Sequence, residues 1–462
     1  MKIKIQNLGA LKQAEFTLAD LTIICGGNNT GKTYTTYALF GFLSTWQQML
    51  SINIDGEQIK QLLAEGVIRI DIQEYIKQTQ KIISKGCQAY TKQLPKIFAA
   101  PPERFKKTKF DVIIDTENVR LTRKFEQKMR SPNGELFSLT KSEDSTELVV
   151  TLLVEQEKVK IPTEIFERII ADALKEIIFA QLFPKPFIAS TERTGAAIFR
   201  KELNFARNRL LEDIGQADHN INPLELLFKT YQYYPLPVEK NVDFMRELET
   251  VSKKLSFLSD NYPEVLDNFA DIIGGEYTVT RNDELYYVPK QGRRIKLSMV
   301  ESSSAVRSLL DIGFYLRHEA QLGDLLMVDE PELNLHPENQ RRVARLFARL
   351  VNLGIKIFIT THSDYIIKEL NTLIMLNQDQ PYLKHIAEEE GYRTEELISA
   401  EKIKVYIAEE VNMKLEGNKT KTKCQTLTPA KIDPEMGIEA RSFDTTIETM
   451  NRIQAAIVWG EE

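Results

Sequence analysis

The sequence predicts an α/β fold: a mixed sheet with flanking helices, interrupted by an inserted helical/β subdomain and followed by a C-terminal extension. Three observations carry it. Gly26-Gly27-Asn28-Asn29-Thr30-Gly31-Lys32-Thr33 stands between an apolar strand, Leu21-Thr22-Ile23-Ile24, and a helix bearing Tyr37, Phe40, Leu43 and Met49. Leu325-Leu326-Met327-Val328 is an apolar run too short for a helix, and it ends in Asp329-Glu330. A helical stripe of Val343, Leu346, Phe347 and Leu350 follows, stopped at Gly354, and Ile355 to Thr360 reads as the next strand. Strand, helix, strand in this order implies a right-handed parallel crossover.

The elements follow in order. Residues 1–24 are short strands, with Ile3 and Ile5 alternating with polar neighbours. Residues 73–98 suit a polar helix, broken at Pro101-Pro102. Strands are expected at 112–114, 119–121, 137–139 and 148–150, with a turn at Pro132-Asn133-Gly134. No heptads are sustained, so no long coiled-coil arm is expected. Ile165, Ile169, Ala173 and Ile177 mark a helix over 164–181, and 187–189 is a buried strand. Residues 197–270 read as mostly helical, 305–320 as a helix opened by serines, 412–434 as an exposed lysine-rich loop, and 443–458 as a short helix. The boundaries expected are 1–50 and 183–378 for two parts of one core, 51–182 for the insertion and 379–462 for the extension.

The 462 residues allow two to four units at roughly 100–200 residues each. A net charge of -6 shows no global basic bias toward nucleic acid, although a local patch is compatible with it. Cys25, Cys87 and Cys424 are odd in number and widely spaced, which suits a reduced cytoplasmic protein. The first residues alternate like a strand, unlike a signal peptide. No apolar run approaches the roughly 20 residues of a membrane helix.

Gly26 to Thr33 matches G-x-x-x-x-G-K-[ST] in the strand-to-helix context that the motif needs. Gly26, Asn28, Asn29, Thr30 and Gly31 would let backbone N–H groups converge on phosphate oxygens at a helix start. Lys32 would pair with the β and γ phosphates of ATP, and Thr33 would give its hydroxyl to Mg²⁺. Asp329 and Glu330 lie at the C-terminal end of a buried strand, the edge where parallel sheets bind ligands. Asp329 would serve the Mg²⁺, and Glu330 would polarise the attacking water.

Asp329-Glu330-Pro331-Glu332-Leu333-Asn334-Leu335-His336-Pro337 resembles the Walker B and D-loop of RecF-, SMC- and OLD-like ABC ATPases, and Ile359-Thr360-Thr361-His362-Ser363 resembles their switch histidine. The resemblance implies an ABC-type P-loop ATPase head in which His362 contacts the γ phosphate. His336 orients the D-loop or is purely structural. Leu297 to Arg307 occupies the position of the ABC signature loop. Ser302, Ser303 and Ser304 would meet a γ phosphate presented by a second copy, which implies a homodimer closed on ATP, or a higher homo-oligomer. An ordinary Ser-capped helix is the other reading, and the usual glycine is absent, with Ser304 or Ala305 in its place. Arg193 admits two readings, a cation near the nucleotide or a surface ion pair. Arg341, Arg345 and Arg349 share a helix face that is either a phosphate groove or a solvated surface.

Proteins with such a head are similar to the ATPase subunits of bacterial anti-phage defence systems, the PARIS type above all in length and layout. That likeness implies a sensor and scaffold that hydrolyses ATP, answers a phage-encoded trigger and controls a separate nuclease-type effector, for which a Toprim nuclease is one candidate. The alternative is a RecF-like DNA-binding repair ATPase, for which the arginine helix speaks.

Overall fold

Alternation of apolar and polar residues builds the N-terminal strands β1 (Lys2–Leu8) and β2 (Leu11–Thr17), whereas β3 (Leu21–Cys25) is buried on both faces. A computed structural model describes residues 1–115, 119–131, 134–153, 162–200, 234–281, 284–291, 295–415, 420–439 and 449–457. Helix α1 (Lys32–Met49) follows the glycine-rich loop. Next come α2 (Gly56–Glu65), β4 (Val67–Asp71), α3 (Thr79–Thr91) and β5 (Lys109–Ile113). Strands β6 (Phe125–Ser131), β7 (Gly134–Lys141) and β8 (Glu147–Leu152) precede α4 (Thr163–Phe179) and β9 (Pro186–Ala189). Beyond these lie α5 (Leu236–Arg246), α6 (Pro263–Ile273), β10 (Gly275–Val279), β11 (Leu285–Pro289), β12 (Leu297–Ser298) and α7 (Leu310–His318). The chain continues through β13 (Leu325–Asp329), α8 (Pro337–Asn352), β14 (Lys356–Thr361), α9 (Asp364–Leu376), β15 (Ile403–Lys414) and β16 (Lys421–Pro429).

The chain folds as two units, Met1–Lys4 with Phe42–Gln93 and Lys109–Pro184, and Ile5–Gly41 with Leu94–Thr108 and Lys185–Glu462. In the first, an antiparallel sheet runs β4-β8-β7-β6. Helix α4 buries Phe166, Ile170, Leu174 and Ile178, and Phe166 lies 5.2 Å from Phe137 of β7, ring centre to ring centre. Phe42 packs against Tyr90, Phe110 and Phe183.

In the second unit the sheet order is β1-β2-β16-β15-β3-β14-β13-β9. Strand β13 pairs in parallel with β14 and β9, and β3 pairs in parallel with β14 and β15. Strand β16 returns antiparallel to β15, which makes the sheet mixed. Ile23, Val328, Ile357, Ile359 and Val405 fill its core, each at most 2% exposed. Helix α8 buries Val343, Leu346, Phe347 and Leu350, and it ends before Gly354 at φ +85°. The parallel ladders bring the C-terminal ends of β3, β13 and β14 to one edge, where the chain carries its polar motifs.

Several expectations need correction. The segment 73–98 is three helices, Ile72–Ile76, Thr79–Thr91 and Leu94–Ile97. Residues 119–121 form no strand, while β4 and β6 were not foreseen. The helix expected over 305–320 is broken at Leu309 (φ -105°, ψ 4°) into Ser304–Ser308 and α7. Of the stretch 412–434, the described residues 412–415 and 420–434 are not one exposed loop, because β15 and β16 pair antiparallel within the sheet, with Cys424 and Leu427 buried. Its outward lysines hid the pattern; Lys423, for example, meets Glu410 across the strands at 2.8 Å. Of the expected helical stretches, 201–233, 443–448 and 458 lie outside the described residues, as do Pro132 and Asn133 of the expected turn and 416–419 of the expected loop. The three cysteines are buried and free. Among the described residues no helix is long and apolar enough to cross a membrane.

Candidate active site

The loop after β3 turns on two glycines. Gly26 has φ +139°, and a Cβ there would stand 2.6 Å from the carbonyl oxygen of Ala408 in β15. Gly31 has φ +97°, and a Cβ would stand 2.7 Å from Leu11 Cγ. Side chains at either position would force the sheet and loop apart. Asn29 takes φ +61°, a conformation that Asn tolerates better than most residues. Thr30 Oγ1 donates to Gly27 O at 2.9 Å and steadies the turn. Gly27, Asn28 and Asn29 are exposed, and Lys32 beneath them is buried. Lys32 Nζ donates to Gly26 O at 2.9 Å and Gly27 O at 2.7 Å. Burial lowers the lysine's pKa, against the opposing pull of Glu330, Asp329 and Glu332.

Asp329 ends β13 fully buried, and the Thr360 hydroxyl donates to its Oδ1. Burial raises its pKa to about 6, while hydrogen bonds from Thr360 and Thr33 act the other way. Its Oδ2 is buried with no hydrogen-bond partner. Glu330 is held at φ +54°, a left-handed conformation unusual for glutamate. Its N–H donates to Thr360 O at 3.1 Å. Backbone strain of this kind collects at functional sites. His362, half-exposed, brings Nδ1 to 3.6 Å from Glu330 Oε1 and 3.3 Å from Glu332 Oε1.

Glu332 is the residue that motif reading passed over. Its Oε1 accepts from Thr361 Oγ1 at 2.9 Å and from His362 N at 2.8 Å, so it fixes the turn that presents the histidine. Burial raises its pKa. The one signal in the sequence was a third carboxylate two positions beyond Glu330.

The remaining expected residues fall in different places. Ser302 is buried and spends its hydroxyl on Ser298 O at 2.8 Å. Ser303 is exposed and caps the Ser304–Ser308 helix, accepting from Val306 N at 3.3 Å, and Ser304 is exposed beside it. Arg193 makes no surface ion pair: it is 2% exposed and donates to backbone carbonyls of Ser190, Ser308, Asp329 and Glu330. His336 Nδ1 caps α8, accepting from Glu338 N at 3.3 Å. The arginine face is neither a bare phosphate groove nor simply solvated. Arg341 and Arg345 clasp Glu369, which is 3% exposed, at 2.6 and 2.5 Å, and Arg349 meets Glu264 at 2.8 Å.

Among the described residues no group of three or more His, Cys, Asp or Glu side chains could hold a metal alone. A Mg²⁺ bound partly through substrate phosphates needs only one or two protein ligands. The Thr33 hydroxyl and the unpartnered Oδ2 of Asp329 fit that requirement.

The AAA ATPase domain family matches residues 1–367. No curated protein matches the chain. Among solved structures, the SMC head bound to the C-terminal winged-helix domain of ScpA is 12% identical, covers 92% of this chain and 97% of its own, and has a TM-score of 0.31. The SMC head domain from Thermotoga maritima is 9% identical over 93% of this chain and 98% of its own, with a TM-score of 0.30. The Pyrococcus furiosus head with an extended coiled coil, bound to the C-terminal domain of ScpA, is 12% identical over 98% of both chains, again at 0.30.

Proposed function

The chain belongs to the AAA ATPase domain family, and from that premise we propose that it binds ATP with Mg²⁺ at Gly26–Thr33 and hydrolyses it with Glu330 as the general base. One observation carries the reading: Thr33 of the phosphate loop lies beside the buried Asp329, and the next residue, Glu330, is held in a strained backbone beside His362.

ATP would draw Lys32 Nζ from the Gly26 and Gly27 carbonyls onto its phosphates. Mg²⁺, held by Thr33 and Asp329, would neutralise charge on the phosphate oxygens. Glu330 would accept a proton from the attacking water as its oxygen approaches the γ phosphorus. His362 would meet the γ phosphate, its turn fixed by Glu332. The second half of the pocket would come from another copy, through the exposed Ser303, Ser304 and the amides between them, making a homodimer. Ser302 belongs to that loop as its internal brace.

The biological reading is an ATPase sensor and scaffold in anti-phage defence, cytoplasmic, controlling a separate nuclease-type effector. The DNA-repair alternative loses its main support, because the α8 arginines that would bind phosphates are already ion-paired.

The test is phosphate release and particle mass for three proteins. Wild type hydrolyses ATP, Lys32→Ala binds no nucleotide, and Glu330→Gln binds ATP, falls on the order of 10²-fold in rate and accumulates as a dimer. Normal hydrolysis by Glu330→Gln overturns the assignment of the base. Stimulation by duplex DNA that fades with salt would restore the repair reading.

A further inference from the structure

The turn after β9 holds more of the site together than its lack of a motif suggests. Arg193 sits in it with all three guanidinium nitrogens donating to main chain. Nε donates to Ser308 O at 2.7 Å, and Nη1 to Ser190 O at 2.8 Å and Asp329 O at 2.7 Å. Nη2 donates to Glu330 O at 2.7 Å. Ser308 is the last residue of the short helix that Ser303 opens, and the helix ends after it at Leu309. One planar guanidinium therefore joins the end of the serine-loop helix to Asp329, the last residue of β13, and to Glu330 just beyond it. Only a rigid fork of five N–H donors can meet these carbonyls at once.

Two neighbours brace the turn. Glu192 Oε2 accepts from the hydroxyl of Tyr37 on α1 at 3.0 Å, linking it to the helix that begins at Lys32. Asn241 of α5 accepts from Ser190 N at 2.8 Å and donates to Ile188 O. Burial lowers the pKa of this guanidinium, against the opposing pull of Asp311, Asp329, Glu332 and Glu330 around it. Ser308 thus cannot shift without pulling on the carbonyl of Glu330, a residue whose backbone is already strained.

We propose that Arg193 is a positioning residue that couples the Ser302–Ser304 loop to Glu330 within one chain, so that a change at either is felt at the other. The proposal rests on the ATPase reading, and it gives Arg193 a role that requires no contact with nucleotide.

Two measurements test it. In the first, hydrogen–deuterium exchange is followed on Glu330→Gln, with and without ATP and Mg²⁺, diluted until it is monomeric. ATP is expected to slow exchange in peptides covering 26–33, 329–333 and 304–310, the last with no second copy present. Protection at 26–33 without any at 304–310 overturns the coupling alone. No protection anywhere overturns the ATP reading and this inference with it. In the second, Arg193→Lys keeps the charge but loses the fork. Its affinity for a fluorescent ATP analogue should stay within about threefold, while kcat falls at least about tenfold, a change of 1.36 kcal/mol in barrier. Arg200→Lys is the control for mere structure, since Arg200 is also buried and donates from Nε to a carbonyl, that of Met245. Its kcat should stay near wild type. Equal loss of kcat in both variants, or an undiminished kcat in Arg193→Lys, overturns the proposal. Should Arg193→Lys fail to fold, the exchange experiment decides by itself.

Discussion

Replacing Glu330 by alanine and by glycine measures what its left-handed backbone costs. At ordinary φ, glycine in place of alanine destabilises by about 0.4–1 kcal/mol, because the unfolded chain has more freedom to lose. Glu330 stands at φ +54°. A residue with a Cβ pays about 1–2 kcal/mol in that region, and glycine pays almost none. Subtracting glycine's entropic loss leaves Glu330→Gly more stable than Glu330→Ala by roughly 0.8 kcal/mol at the middle of these ranges, with limits of about 0 and 1.6 kcal/mol. Other effects cancel between the two variants. Both remove the carboxylate that repels Asp329. Both keep the backbone bonds to Thr360 O at 3.1 Å and from Arg193 Nη2 at 2.7 Å, which hold the conformation in place. Urea unfolding of the two proteins side by side, followed by far-ultraviolet circular dichroism, reads the difference, and phosphate release should be near background in both. A glycine variant less stable than the alanine variant would refute the reasoning, because it would place position 330 in ordinary backbone.

Three further outcomes are expected. Gly26→Ala puts a Cβ 2.6 Å from Ala408 O, so the loop or β15 must move, and titration with a fluorescent ATP analogue should show affinity about tenfold lower or worse. Glu369→Ala leaves Arg341 and Arg345 without their shared anion. The loss should be about 2–3 kcal/mol by chemical unfolding, less than the ~3–5 kcal/mol of a fully buried pair, because the Arg341 side chain is 39% exposed; a loss under about 0.5 kcal/mol contradicts the clamp. Burial pushes Asp311 from 3.8 to about 6, despite Arg193 nearby and the N–H of Ile312. Its folded pKa thus exceeds its unfolded one, so its contribution to stability is full below about pH 4 and is lost as pH rises through about 6. Asp311→Asn should remove that slope, gaining on wild type by of the order of 2–3 kcal/mol between pH 4 and 7; parallel stability curves would contradict it.

The candidate site residues are legible in the sequence because each motif is local. Gly26 to Thr33 needs a strand before it and a helix after it, and both are written in adjacent residues. The apolar runs of β13 and β14 and the stripe of α8 lie within forty residues of one another, so their periods alone give a parallel crossover. The same holds for Asp329, Glu330 and His362, which stand at strand ends where a ligand edge is expected.

Tertiary structure decided what depends on partners distant in the chain. Strand β15 joins β3 across almost four hundred residues, and β16 is paired to it, so the lysine-rich stretch that reads as a loop becomes sheet. Ladder hydrogen bonds from other strands supply the stability that its own composition lacks. Only folding placed Glu332 under His362, gave the α8 arginines Glu369 and Glu264, and drove Arg193 inward onto four carbonyls. Periodicity records which face of a segment is apolar. It carries no record of which buried polar group will meet which, since that pairing is chosen when the elements pack and each buried donor must find an acceptor.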